Sequence, residues 1–240
     1  MKKHLSVLML FIRSTLYKFL LIILAMAVTE GGLFVLAFRN AKGFDRIVGL
    51  DQIIAASHLN IICAVCFLLL CVLLCLTGCE LGSKQGYTLS HLRISRRAVI
   101  FWQFVNNLGH VFLLLAVQIG IILALCGVYN AQYRQPQSIM LVFYQNDFLH
   151  SLLPLTEWSR FVFNVVLIIA LAVTMACFPV RIRAGKKPLA AFIVVLFCVQ
   201  GFSRGVGSST NNISAVVLLA IITFAAIKGI WKEIDDEAFS

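Results

Sequence analysis

Residues 53–77 read IIAASHLNIICAVCFLLLCVLLCLT, a run without a single Asp, Glu, Lys or Arg. At 1.5 Å per residue a helix of that length extends about 37 Å, enough to cross a hydrocarbon core of roughly 30 Å. In lipid every backbone N–H and C=O needs an internal partner, which restricts a crossing segment to a helix or a barrel strand, and the lack of polar/apolar alternation selects the helix. Working outward, comparable apolar stretches occupy 17–38, 99–129, 161–180, 189–202 and 213–231. The 189–202 stretch is the shortest, and a re-entrant course is the alternative to a full crossing there. The expected fold is all-α, a polytopic membrane protein of six transmembrane helices in a single domain over 1–240. Composition leads to the same place: 61% hydrophobic and 12% charged residues are more than one water-soluble core of 240 residues can accommodate.

The loops fix the expected orientation. Lys2, Lys3, Arg13, Lys18, Lys84, Arg93, Arg96, Arg97, Arg181, Arg183, Lys186, Lys187, Lys228 and Lys232 fall on one side of the six-helix scheme, and Arg39, Lys42, Arg46, Arg134, Arg160 and Arg204 on the other. Basic residues are retained on the cytoplasmic side during insertion, so both termini are expected there, in the cell membrane. The net charge of +10 then faces anionic lipid headgroups, and nucleic acid is not an expected partner. The apolar run after Lys2 and Lys3 is too long for a signal-peptide core and lacks a clean small-x-small cleavage site, so it reads as a permanent helix. Ahead of it, in an interfacial helix expected over 1–16, Lys3, Ser6 and Ser14, with Lys18 just beyond, fall on one side and Leu5, Leu8, Phe11, Ile12 and Leu16 cover much of the rest.

Eight cysteines occur, all in apolar runs, where a thiol behaves as a small hydrophobe. Cys63 and Cys66 form a CxxC without a second pair or a redox context, so packing is the expected role. Cys71, Cys75, Gly78, Cys79, Gly82 and Gly86 recur at three- and four-residue spacing and form a stripe of small side chains. Such a stripe serves either a close helix seam between subunits or within the bundle, or ordinary packing.

Polar groups inside spans are costly and are therefore candidates for function. Gln103, Asn106, Asn107, His110 and Gln118 project within about a third of the circumference of one helix. Glu30 and His110 lie at similar depth counted from their own span starts, which predicts a contact between them. Three readings stay open: a polar or proton-linked path, a hydrogen-bonded network that pins helices together, and a Glu30 that reaches up to the outer interface beside Gly31 and Gly32. No GxxxxGK[ST], HExxH or GxSxG motif occurs and the histidines are scattered, so neither catalysis nor a cofactor or metal is expected of this chain. The stretch 80–97, ELGSKQGYTLSHLRISRR, interleaves bases with Leu89, Leu92 and Ile94 beside Tyr87, more than a topology signal requires. It reads as an amphipathic docking segment.

On that segment and the span pattern, the chain resembles the membrane subunit of ABC-2-type transporters, in particular the small permeases of Gram-positive bacteria. The resemblance covers most of the chain as topology and departs from it by lacking a helical hairpin before the last span. It implies a permease energised by a separate ATP-binding subunit, with Tyr87, Leu89, Leu92, Arg93, Arg96 and Arg97 in the coupling loop. It further implies an exporter of a lipid, peptide or other amphipathic compound, working as a homodimer or as a heterodimer with a similar chain. The alternative class is a non-transporting accessory, sensory or assembly subunit. The largest exterior insertion, 130–160, carries apolar clusters at 139–144 and 148–153 between Pro136 and Pro154, and is expected to form surface-lying helices that cap a pathway or rest on the outer leaflet.

Overall fold

The computed structural model of the chain describes residues 2–42, 49–79, 95–132, 138–154, 157–203 and 209–238. These residues are helical with short turns, and no strand occurs among them. In chain order the helices are α1 (Lys2–Lys42), α2 (Leu50–Ala56), α3 (Leu59–Gly78), α4 (Arg96–Gln132), α5 (Ile139–Gln145), α6 (Asp147–Leu152), α7 (Trp158–Arg183), α8 (Leu189–Ser203) and α9 (Ser209–Ala238). Five of them, α1, α3, α4, α7 and α9, are long and apolar enough to cross a membrane. Their outward faces are apolar, with Leu24, Val72, Phe112, Ile221 and Phe224 each at least half exposed. A patch of that extent around a bundle is solvated by lipid, and the chain is a multi-pass membrane protein.

The segment 53–77 is not one helix. His58, at φ +50°, adopts the left-handed conformation and separates α2 from α3. Ser57 assists the break, since its hydroxyl donates to the Ile54 carbonyl and its N–H to that of Ile53, closing α2 two residues before Leu59. The crossing helix is therefore the apolar remainder, and α2 lies against α1 and α5.

The separate interfacial helix expected at 1–16 is also revised. Residues 2–42 form one helix, about 61 Å long at 1.5 Å per residue. No proline interrupts the stretch, and Val7, Phe11 and Thr15 are buried in line with Phe19 and Met26, so one packed stripe continues through the expected boundary.

The 15-residue α8 is about 22 Å long, short of a hydrocarbon core of roughly 30 Å. It nevertheless runs back along α7. At one end the two helices are joined by a Schellman turn, in which Lys186 N–H donates to the Arg181 carbonyl and Gly185 N–H to that of Ile182. Gly185 sits at φ +69°, where a Cβ is disfavoured, and Pro188 follows. At the other end Arg160 of α7 donates to the Gly201 carbonyl of α8.

Two apolar cores are stacked along the bundle. One joins α1, α3, α4, α7, α8 and α9 through Phe19, Leu70, Leu114, Leu171, Val194 and Leu219. The other gathers the ends of α1 and α4 with α2, α5 and α6 through Phe34, Ile53, Tyr129, Phe143 and Leu149. The described helices of the insertion, α5 and α6, are thus built into a core and cap one end of the bundle, their apolar faces packed with residues of α1, α2 and α4. Asn146 starts α6 by accepting from the N–H groups of Phe148 and Leu149 at 3.1 and 3.3 Å. Gly229 marks the close approach of α9 to α7, since a Cβ there would fall 2.6 Å from the Arg181 guanidinium.

Candidate functional site

The polar side of α4 faces inward from Gln103 to Gln118. Gln103, Asn106, Asn107, His110 and Gln118 are all buried, and they meet two neighbours. Toward α1, Thr15 Oγ1 lies 3.1 Å from His110 Nε2. The other ring nitrogen, Nδ1, is 2.8 Å from the Asn106 carbonyl, which accepts its proton and fixes that tautomer. The Phe19 ring packs edge-on against the imidazole, centroids 4.8 Å apart. Farther along the same pair of helices, Gln118 Nε2 donates to Glu30 Oε2 at 3.1 Å.

The expected Glu30–His110 contact is therefore corrected: His110 meets Thr15, and Glu30 meets Gln118. Both contacts ascend together along α1 and α4, so the helices run in the same direction. Depths counted from Tyr17 and Val99 assumed that both helices enter the core at those residues. Packing instead sets Thr15 level with His110, and Gln118 lies eight residues, or about 12 Å, beyond.

Toward α7, Asn107 lies against the Ala172–Ala176 backbone. With its amide oriented to satisfy both ends, it donates to the Gln103 carbonyl at 3.2 Å and accepts from the Ala176 N–H at 3.3 Å. The His110 and Gln118 side chains thereby serve a seam with α1 and that of Asn107 a seam with α7, while Gln103 and Asn106 lend backbone carbonyls. The five do not converge on one cavity.

The coupling stretch is described only at its end. Tyr87, Leu89, Leu92 and Arg93 lie outside the described residues, while Arg96 and Arg97 form the first turn of α4. The Arg97 guanidinium sits over the Trp231 ring of α9, 5.5 Å from its centroid. Beneath it a cavity of about 270 Å³ opens between α4, α7 and α9, lined by Phe101, Phe104, Cys177, Ile230 and Trp231. At the opposite end, α2, the start of α3 and the α5–α6 junction enclose a more polar pocket of about 440 Å³ with Asp51, His58, Asn60 and Asp147 on its walls.

Sequence reading missed a second buried polar set. Arg160, counted there as a loop charge, is 4% exposed. It donates to Asn212 Oδ1 of α9 at 3.5 Å and to the Gly201 carbonyl, and it lies 5.0 Å from the Phe163 ring centroid. Asn164, one turn on, donates to the Ser151 carbonyl at 2.9 Å. The available signal was the i, i+4 pairing of Arg160 and Asn164 on a helix whose intervening residues are apolar.

The eight cysteines are free thiols. Of the small-residue stripe, Cys71 is buried in the larger core with Cys198, and Cys75 Sγ lies 3.0 Å from Met175 Sδ. That part of the stripe is a seam within the chain, whereas Gly82 and Gly86 lie outside the described residues. No group of three His, Cys, Asp or Glu side chains able to hold a metal ion occurs among the described residues. No protein-family model, curated protein or solved structure matches the chain.

Proposed function

We propose that this chain is the membrane-spanning permease subunit of an ATP-driven transporter of the ABC type, energised by a separate ATP-binding subunit and exporting a lipid, peptide or other amphipathic compound. The observation that supports this most is the construction of α4. This single 37-residue helix begins where the amphipathic 80–97 segment ends. Its first turn is held to α9 by Arg97 over Trp231, and its buried face bonds α1 and α7 farther along. A displacement delivered to the segment would reach three neighbouring helices through one rigid body, which is what a permease without a nucleotide site of its own requires.

In this reading α8 makes the sixth crossing, with the bilayer thinned locally to match its length. Both termini lie in the cytoplasm, the protein sits in the cell membrane, and two copies, or one copy with a similar chain, enclose the pathway. Tyr87, Leu89 and Leu92 form the apolar contact with the ATPase, flanked by Arg93, Arg96 and Arg97. Replacing Tyr87, Leu89 and Leu92 together by Ala tests this directly. Insertion and thermal stability should remain, while cargo-stimulated hydrolysis by the partner ATPase falls to its basal rate; full stimulation in the triple variant would remove the segment from the coupling path.

A further inference from the structure

Glu30 and Gln118 are both fully buried, at 0% exposure, midway along the bundle. One hydrogen bond joins them, from Gln118 Nε2 to Glu30 Oε2. Two atoms of the pair, Glu30 Oε1 and Gln118 Oε1, are buried and have no hydrogen-bond partner among the described residues. Both orphans are acceptors. An ionised carboxylate carries about four acceptor sites and needs donors or a cation around it when water is absent.

The surroundings offer one strong donor, the Gln118 amide, and no cation among the described residues. From α4 the facing group is the Gln118 amide, and the thiols of Cys63 and Cys66 on α3 are near enough to interact electrostatically with the carboxyl but do not bond Oε1. The ionisable side chain of α2, Asp51, lines the polar pocket at one end of the bundle instead. His110 is engaged with Thr15 and the Asn106 carbonyl two turns away on α4. Neither Lys nor Arg pairs with Glu30 among the described residues.

We infer that Glu30 and Gln118 form a proton-binding site, an acid–amide pair in which a hydrogen on Glu30 Oε1 is donated to Gln118 Oε1. A single proton then resolves both orphans at once. It neutralises the carboxyl and closes a second hydrogen bond alongside the one from Gln118 Nε2, giving the reciprocal two-bond arrangement that a carboxylic acid and a primary amide form. The site stands whether or not the chain moves a cargo, because it rests on the α1–α4 seam alone.

Infrared spectroscopy of the full-length protein in phospholipid nanodiscs tests it, using uniform 13C-glutamate labelling to identify the band. At neutral pH the wild type should show the carbonyl stretch of a protonated carboxylic acid that moves down on 13C-glutamate labelling and in D2O. The band should be lost in Glu30→Gln, which keeps a reciprocal amide–amide bond. In Gln118→Leu it should persist at higher frequency, having lost its acceptor. Absence of an acid carbonyl in the wild type overturns the assignment, as does a band that Glu30→Gln leaves in place or that Gln118→Leu does not move. A band abolished by added sodium or potassium also overturns it, by showing that a metal cation is the natural occupant. If Glu30→Gln fails to fold, the isotope shift in the wild type and the Gln118→Leu shift decide the question.

Discussion

Thr15 shows how a single hydroxyl holds two helices in register. It is fully buried and faces His110 Nε2, whose imidazole is oriented from the other side by the Asn106 carbonyl. Replacing Thr15 with Val keeps the shape and leaves a buried ring nitrogen unpartnered, a loss of about 1–3 kcal/mol. A lower thermal midpoint in detergent is the expected outcome. Thr29→Val is the control, since the Thr29 hydroxyl is exposed and donates only within its own helix, and it should change stability by less than about 0.5 kcal/mol. An equal effect from both substitutions would mean that the Thr15–His110 contact does not contribute to the α1–α4 seam. The polar face of α4 was legible in the sequence because it depends on periodicity within one helix. Its partners were not, because the register between two helices is set by side chains such as Phe19 and Met26 that read simply as apolar. Arg160 was misread for a related reason: a lone base at the edge of an apolar run looks the same whether it faces headgroups or turns inward to Gly201 and Asn212.

Among the elements, the turns decide where apolar sequence becomes a crossing. The 161–180 and 213–231 stretches lie within α7 and α9, and 189–202 within α8, and the break between α7 and α8 is marked visibly by Gly185 and Pro188. The 53–77 stretch lacked such punctuation. His58 bends it without a glycine or proline, so the left-handed turn could not be read from residue type. The α7–α8 turn offers the sharper test. Gly185 at φ +69° has open space around it, so Gly185→Ala strains only the backbone and should cost about 1 kcal/mol. Gly109→Ala, within α4 and also facing open space, should stabilise by roughly 0.5–1 kcal/mol. Thermal unfolding of the two variants in one detergent should therefore move in opposite directions; a loss at neither site would show that the left-handed turn is not held in the native protein.

For the whole molecule, the count of crossings follows from whether α8 completes its return along α7. With six crossings the two termini share a side, whereas a re-entrant α8 leaves them opposed. Cysteines introduced at Ser6 and Ser240 and probed with a membrane-impermeant maleimide should label only after the cells are opened, while one introduced at Gln52, in the polar pocket at the other end of the bundle, should label in intact cells. The native thiols are buried or half-buried and give little background. Labelling of Ser6 and Ser240 from opposite sides would reduce the crossings to five and place the coupling segment and the carboxyl terminus on different faces. The all-α class and the membrane setting were legible from hydropathy alone, because lipid admits few alternatives. The capping of one end by α2, α5 and α6 was not, since short apolar helices packed on a bundle and short apolar helices resting on lipid have the same composition.

The central claim is that this bundle borrows its work from an ATPase. Purification of the tagged full-length chain from its native membrane in mild detergent, with the co-purifying chains identified by mass spectrometry and assayed for ATP hydrolysis, tests that claim most directly. The account predicts a P-loop ATPase in near-stoichiometric amount, whose turnover rises when the complex is returned to lipid with cargo. Recovery of the chain alone, or with a partner lacking a nucleotide-binding motif, would contradict it and make this an accessory or assembly subunit.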